Sequence, residues 1–193
     1  MKFKTIALLA VAMLSVSTCM AADDAEKKRE KTRKMAEQTL QDLYKLQPTA
    51  QAAIQKAVGY AAFDNTGVNV LLLSTARGSG LTVNNKTKQE TFMKMGSVGA
   101  GLGVGAKGYR VVFVFENEKA LAQFLDSGWS GSAQADAAAK AGEKGGAYSG
   151  AVEVEPGVWV YQITDNGLAL QLTLQGTKYY KDDDLNKTNR SSQ

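Results

Sequence analysis

The chain has 193 residues, 44% of them hydrophobic, and a formal net charge of +4. This length and composition suffice for one domain with a hydrophobic core, and the charge is too small to indicate a nucleic-acid partner. Histidine is absent and Cys19 is the single cysteine. Ser/His/Asp and Cys/His relays are therefore excluded, and a zinc or copper site would lack its usual ligands. We expect a protein that is not an enzyme and that has no catalytic residues, cofactor or metal site.

Residues 1–21 have the pattern of a secretory signal peptide. Lys2 and Lys4 precede an apolar segment at 6–14, which is far shorter than the roughly 20 residues that a spanning helix needs. Small residues near the end of the predicted signal peptide, Cys19 and Ala21, favour cleavage after Ala21. Such cleavage would leave a periplasmic protein. The alternative is an outer-membrane lipoprotein in which Cys19 is the acylated N-terminus and acts as a lipid anchor.

Residues 22–47 are predicted to form a basic amphipathic helix. Threonine and apolar residues recur every three or four positions on one side: Thr32, Met35, Ala36, Thr39, Leu40 and Leu43. Six cations lie in the first half: Lys27, Lys28, Arg29, Lys31, Arg33 and Lys34. Because Glu26 and Glu30 are interleaved with them, these cations fit a solvated helix start with i,i+4 ion pairs. The alternative is a basic arm that attracts anionic headgroups at about 1 kcal/mol per charge.

The next segment is predicted to contain a short helix and a series of strands. Thr49 is expected to cap the helix, with Ala50, Ala53, Ile54 and Ala57 on its buried side. Strands at 58–63 and 68–74 are predicted on either side of a turn at 64–67. After a loop at 77–80, residues 81–83 are predicted to pair with 91–93 across a turn at 84–86.

A glycine run at 96–106 alternates glycine with small apolar residues and leads into a strand at 109–115. A period of two puts the apolar residues on one face of a strand and leaves the other face bare, so we expect something to approach the bare face closely. Gly103, Gly105 and Gly108 spell a dinucleotide-binding pattern. That pattern requires a helix to follow the glycines, whereas a strand follows here, which favours a structural role.

The segment after residue 115 is predicted to begin with a helix that Asn117 caps and Gly128 ends, with Leu121, Phe124 and Leu125 facing inward. An alanine-rich segment at 133–141 is predicted as a narrow-faced strand. Residues 158–174 form the strongest predicted hairpin, with a turn at 165–167. Its core positions are Val158, Val160, Leu170, Leu172 and Leu174.

The polar residues at 181–193 are predicted as a solvated tail. Asp182, Asp184 and Asn186 alternate as at the start of a calcium loop, but the central glycine and the closing glutamate of such a loop are absent. The whole pattern predicts a single α+β domain. We expect a curved, mostly antiparallel sheet or small barrel-like roll, with an N-terminal helix and one or two further short helices.

Several motifs in this order resemble the SYLF domain, also called the Ysc84 domain, in its bacterial secreted form. They are AQAAIQKAVGY at 50–60, GSG at 78–80, GAGLGVG at 99–105, YRVVFVF at 109–115, Ala120, Leu121 and Phe124 followed by Gly128 and Trp129, VYQITDNGL at 160–168, and LQGTKYY at 174–180. The order and spacing of these motifs carry the resemblance, which places the SYLF-like domain at 48–180. Where the family usually has Phe-Pro, this chain has Phe63 and Asp64.

The resemblance implies a domain that binds membrane lipids, with anionic phospholipids as partners and without catalysis. In relatives the lipid contact is credited to a basic N-terminal segment, which corresponds by position to residues 27–34. We therefore expect the six helix cations to bind lipid, with Lys107 and Arg110 as a second basic point if they face outward. The alternative is a cell-envelope protein that binds another protein, or a stress protein, without lipid specificity.

Overall fold

The computed structural model describes residues 3–131, 148–169 and 176–187. The first helix, α1, spans Phe3–Leu46. It therefore begins within the predicted leader and ends one residue before the predicted bound of 47. The predicted stripe is confirmed, because Thr32, Ala36, Thr39 and Leu43 are buried. Cys19 lies within α1, and the structure describes its backbone but not its side chain.

Two shorter helices flank the main strands. Helix α2 spans Thr49–Lys56 and buries Ala50, Ala53 and Ile54, as predicted. Thr49 does not cap it, because Pro48 already has helical backbone angles and occupies the cap position without a side-chain hydrogen bond.

Helix α3 spans Glu118–Ser127 and begins as predicted. The Asn117 side chain accepts a hydrogen bond from the Ala120 amide at 2.9 Å. Leu121 and Phe124 are buried, and Leu125 packs against the same core.

A long antiparallel hairpin forms the centre of the sheet. Strand β1 spans Gly59–Asn84 and β2 spans Glu90–Phe115. The predicted pairing of 81–83 with 91–93 is confirmed, since Leu81 lies opposite Phe92. The turn predicted at 64–67 and the loop predicted at 77–80 are wrong. Asp64 lies opposite Arg110 and Gly78 opposite Met95, so cross-strand pairing overrides the local turn preference of these residues.

The glycine run belongs to β2, and no helix opens from it among the described residues. This agrees with a structural role for the glycines. The expected close approach to the bare face is not found at two of its glycines, because a Cβ atom on Gly99 or Gly105 would meet no atom of the described residues within 4 Å.

The hairpin curls until distant parts of β1 meet. The register shifts between Leu71 and Leu73, and a bulge of this kind bends a strand and increases its twist. Gly80 then faces the Phe63 ring so closely that a Cβ atom would collide with it. Gly59 likewise approaches the carbonyl of Val83. The described strands therefore form a curled, half-barrel antiparallel sheet, and the predicted α+β fold is confirmed.

Five shorter strands extend this sheet, and a fourth described helix follows them. They are β3 (Trp129–Ser130), β4 (Val152–Glu155), β5 (Val158–Thr164), β6 (Gly167–Ala169), β7 (Thr177–Lys181) and helix α4 (Asp183–Lys187). Strand β5 pairs with β2 at 110–115, and β7 pairs with β2 at 93–97. Strand β2 thus pairs with β7 near its N-terminal end and with β5 at its C-terminal end.

The hairpin predicted at 158–174 is confirmed as far as residue 169. Thr164 lies opposite Gly167, whose φ of 100° supplies the backbone conformation that the turn needs. The predicted core positions Val158 and Val160 are buried. Leu170, Leu172 and Leu174, and the strand predicted at 133–141, lie outside the described residues.

The residues after 180 differ from the predicted solvated tail as far as the structure describes them. Asp182 and Leu185 are buried. The Asn186 side chain bonds both backbone groups of Phe92, accepting from N at 3.0 Å and donating to O at 2.7 Å. These side-chain hydrogen bonds continue the edge of the sheet beyond β7, which explains why a polar segment packs against the domain.

Two hydrophobic cores result, one on each face of the sheet. Within the curl, Phe63 and Tyr179 have ring centroids 4.6 Å apart, and Phe113 lies 5.1 Å from Phe124. The second core lies between the sheet and helices α1 and α2, where Leu43 and Ile54 join one cluster with Tyr161. The second core fixes α1 along the sheet, so the residues of α1 have defined inner and outer sides.

Candidate functional site

Helix α1 has two faces that differ in chemistry. Its buried stripe contacts the sheet, and Arg29 lies on that same side with only 5% of its surface exposed. Lys27, Lys31 and Lys34 are exposed and recur at three- and four-residue steps, so they form one row along the helix. That row lies opposite the buried stripe.

Arg29 links α1 to the end of the chain. Its Nε donates to the Leu185 carbonyl at 2.9 Å, and its Nη1 donates to Glu26 at 2.7 Å. The Nη2 atom is buried and has no hydrogen-bond partner among the residues that the structure describes. These contacts place Arg29 on the inner side of α1, away from the exposed lysine row.

Arg33 also contacts the domain. Its Nε donates to Glu90 at 2.8 Å, its Nη1 donates to Glu26 at 3.1 Å, and its guanidinium lies 5.4 Å from the centre of the Phe92 ring. The hydrogen bond with Glu90 contributes most to raising the pKa of Arg33. Arg29, followed by Arg33, lowers the pKa of Glu26. Arg29 therefore joins α1 to the segment after β7, and Arg33 joins α1 to the start of β2.

The four lysines of the predicted set remain exposed. Lys27 pairs with Asp23 and Lys34 with Glu30, each at 2.6 Å. These hydrogen-bonded carboxylates raise the pKa of both lysines. Lys28 and Lys31 form no ion pair with any residue that the structure describes. We call Lys27, Lys28, Lys31 and Lys34 the outer lysines.

The second predicted basic point divides in the structure. Lys107 is exposed, whereas Arg110 faces α1 and donates from Nη1 to Asp42 at 2.7 Å. Asp42 also accepts from Gln38 and Lys45. Arg110 contributes most to holding the pKa of this carboxyl well below its usual range. Residues 107 and 110 therefore do not form one outward cluster with the helix cations.

The sequence analysis did not identify Asp42 as the partner of Arg110 or Glu90 as a partner of Arg33. Asp42 follows Thr39 by three positions at the border of the buried stripe, and this position is a usable signal for a contact with the sheet. Glu90 carries no comparable signal, because it meets Arg33 only after the hairpin has curled. Among the described residues, no group of three or more acidic or cysteine side chains could hold a metal ion. No helix in the described part of the chain is long and apolar enough to cross a membrane.

The fold and this surface define an α+β domain with a curled sheet and a docked helix that carries an exposed row of lysines. Residues 96–189 match the model of the Ysc84 family, described as "Las17-binding protein actin regulator". Beta cell expansion factor A of Aeromonas veronii is 36% identical over 158 residues, which are 81% of this chain and 58% of that protein. The chain thus spans little more than half the length of this curated relative.

Residues 96–189 form a domain of the Ysc84 family, also called the SYLF family, as the resemblance predicted. Membership supports a lipid- or actin-related binding domain.

Proposed function

We propose that the chain is an exported, non-enzymatic domain that binds anionic membrane lipids through the outer lysines of α1. The observation that supports this proposal most is the division of the helix into a docked side and an outward row of lysines. A row held in this way can meet a flat surface without disturbing the contacts of α1 with the sheet. Each cation near an anionic membrane contributes about 1 kcal/mol.

The neighbouring acidic residues do not remove this attraction. The pairs of Lys27 with Asp23 and Lys34 with Glu30 are exposed on both sides, and exposed pairs contribute at most about 1 kcal/mol each. Lipid phosphates can therefore compete for these lysines at little cost. Arg29 and Arg33 take a different role in this proposal, because their contacts with Leu185 and Glu90 hold α1 in place.

Vesicle flotation tests the proposal. We expect the purified protein, in the form that the cell produces, to float with phosphatidylglycerol vesicles at low salt and much less at high salt. Changing the four outer lysines to glutamine should weaken binding at least tenfold, at about 1 kcal/mol per cation with two of the four already paired.

The matched control removes four exposed lysines elsewhere, namely Lys56, Lys86, Lys88 and Lys119. We expect this control variant to bind nearly as the unchanged protein does. Equal losses in the two variants would show that only total charge matters. Equal flotation with phosphatidylcholine vesicles would contradict the electrostatic proposal, and a crosslinked protein adduct without lipid dependence would favour the protein-binding alternative.

Export to the periplasm is the second part of the proposal, supported by the signal-peptide pattern of residues 1–21. The intact mass of the mature protein tests it. We expect the mass of a chain that begins at residue 22. A mass that includes an acylated Cys19 would instead indicate an outer-membrane lipoprotein, and the mass of the full chain would contradict export. Actin binding is not part of the proposal, because a protein exported to the periplasm does not meet actin.

A further inference from the structure

A second cationic surface lies on the face of the sheet formed by β1, β2 and β7. The register places Arg77 of β1 directly opposite Gly96 of β2, and Gly96 directly opposite Lys178 of β7. The two cations therefore flank one glycine in a row across three strands. Because neighbouring strands lie about 4.8 Å apart, the backbones of Arg77 and Lys178 are about 10 Å apart.

The space between these cations is open. A Cβ atom on Gly96 would meet no atom within 4 Å in the part of the chain that the structure describes. Arg77, Gly96 and Lys178 line one groove of about 1200 Å³, together with Lys94, Val98 and Tyr180. A glycine at this position thus leaves room for a group to reach the sheet between two positive charges.

The cations of the groove are not equivalent. Lys94 donates to Asp182 at 2.9 Å and lies 3.7 Å from Asp184, so acidic residues already compensate its charge. Arg77 and Lys178 are exposed, and neither pairs with an acidic residue in the described part of the chain. Two uncompensated cations on either side of an open position attract an anion.

Exposed aliphatic side chains continue the same face. Val98 follows Gly96 by two residues on β2 and is 66% exposed, and Leu73 precedes Arg77 by four residues on β1 and is 54% exposed. Residues two or four apart on a strand share a face, although the register shift lies next to Leu73. The face therefore changes from cationic to apolar over two to four residues, which matches an amphiphile with a charged head and an apolar body.

We propose that the groove over Gly96 binds the phosphate of an anionic phospholipid headgroup between Arg77 and Lys178, with Val98 and Leu73 beside the acyl chains. This inference rests on the proposed function, to which it adds a defined headgroup site distinct from the outer lysines of α1. The occupant is a lipid in a membrane, because a free phosphate ion would make no use of the adjoining aliphatic residues.

Vesicle binding of charge variants tests the site. The double variant Arg77→Gln with Lys178→Gln should bind phosphatidylglycerol vesicles about 30-fold more weakly, the change that corresponds to about 1 kcal/mol for each cation. The control Lys56→Gln with Lys119→Gln removes the same charge from exposed positions elsewhere. We expect the control to change binding less than threefold.

A matched pair of glycine variants tests the gap itself. Gly96→Glu places a carboxylate between the two cations, whereas Gly105→Glu adds the same charge at an exposed position of β2 that is also open. We expect Gly96→Glu to weaken vesicle binding at least tenfold and Gly105→Glu to weaken it much less. Circular dichroism and thermal unfolding of each variant would confirm that the sheet is intact.

The outcomes separate this inference from the proposed function. Loss of binding in the outer-lysine variant together with unchanged binding in the Arg77 and Lys178 variant would overturn the groove and leave the proposed function standing. Equal effects of Gly96→Glu and Gly105→Glu would also overturn it. If the unchanged protein does not bind phosphatidylglycerol vesicles, the proposed function fails and the groove loses its ligand. Inhibition by inorganic phosphate alone, without a preference for vesicles, would contradict the choice of a lipid as occupant.

Discussion

Asp42 fixes the position of α1 on the sheet through a small number of polar contacts. Its carboxylate receives hydrogen bonds from Arg110, Gln38 and Lys45 at 2.7 to 3.1 Å. The Asp42 and Arg110 side chains are only 24% and 31% exposed, so this pair is less screened by water than the pairs on the outer side of the helix. The pair joins α1 to β2 and thereby helps to set the direction in which the outer lysines face.

Asp42→Asn should lower the free energy of unfolding by about 1 kcal/mol at pH 7. Arg110 holds the pKa of Asp42 below its usual range in the folded protein. The stabilisation is therefore fully present above the unfolded pKa of about 4 and is lost as the pH falls through the folded value. We expect the difference between the two proteins to be constant above about pH 5 and to shrink below about pH 4. Urea unfolding at several pH values measures it.

Glu37→Gln is the control for this prediction, because Glu37 is an exposed carboxylate on the same helix. It should have little effect on stability at any of these pH values. If the two variants had the same pH profile, the pair of Asp42 with Arg110 would not stabilise the docked helix.

At the scale of elements, the β1–β2 hairpin shows what local sequence signals can and cannot predict. The pattern of small and apolar residues correctly predicts strand structure in both strands. The turn signals at 64–67 and 77–80 are overridden because their partners in β2 lie within pairing distance only in the folded hairpin. The glycines divide into two kinds, and the sequence does not distinguish them. Gly80 makes room for the Phe63 ring, whereas Gly96 faces open space.

Gly80→Ala and Gly96→Ala should therefore have opposite effects on stability. At Gly80 a methyl group would collide with the Phe63 ring and with the Ala62 carbonyl, which should cost about 1 to 3 kcal/mol. At Gly96 the methyl group meets nothing, and alanine is favoured over glycine in a strand by about 0.5 to 1 kcal/mol. Thermal unfolding of both variants checks this difference. A loss of stability with Gly96→Ala would contradict an open position there.

At the scale of the whole molecule, the fold class and the family were predictable from the sequence, whereas the arrangement of the charges was not. Periodicity identified the buried side of α1, because burial of apolar residues repeats with the helix. It could not separate Arg29 from Lys31, since both are cations in one charged segment and only Arg29 meets the carbonyl of Leu185. Leu185 in turn belongs to a polar segment whose docking depends on the edge of β2. Contacts between distant parts of the chain decided each of these outcomes.

The hydrogen bond between Arg29 and Leu185 joins residues 156 positions apart. The edge of β2 at Met93 is likewise covered only when Lys181 pairs with it. Contacts between such remote residues form slowly, because the chain between them loses conformational entropy before the contacts stabilise the fold. These two contacts cannot form before residues 181–185 have been synthesised. For the export proposed above, this delay is an advantage, because the polypeptide can cross the membrane unfolded and fold in the periplasm.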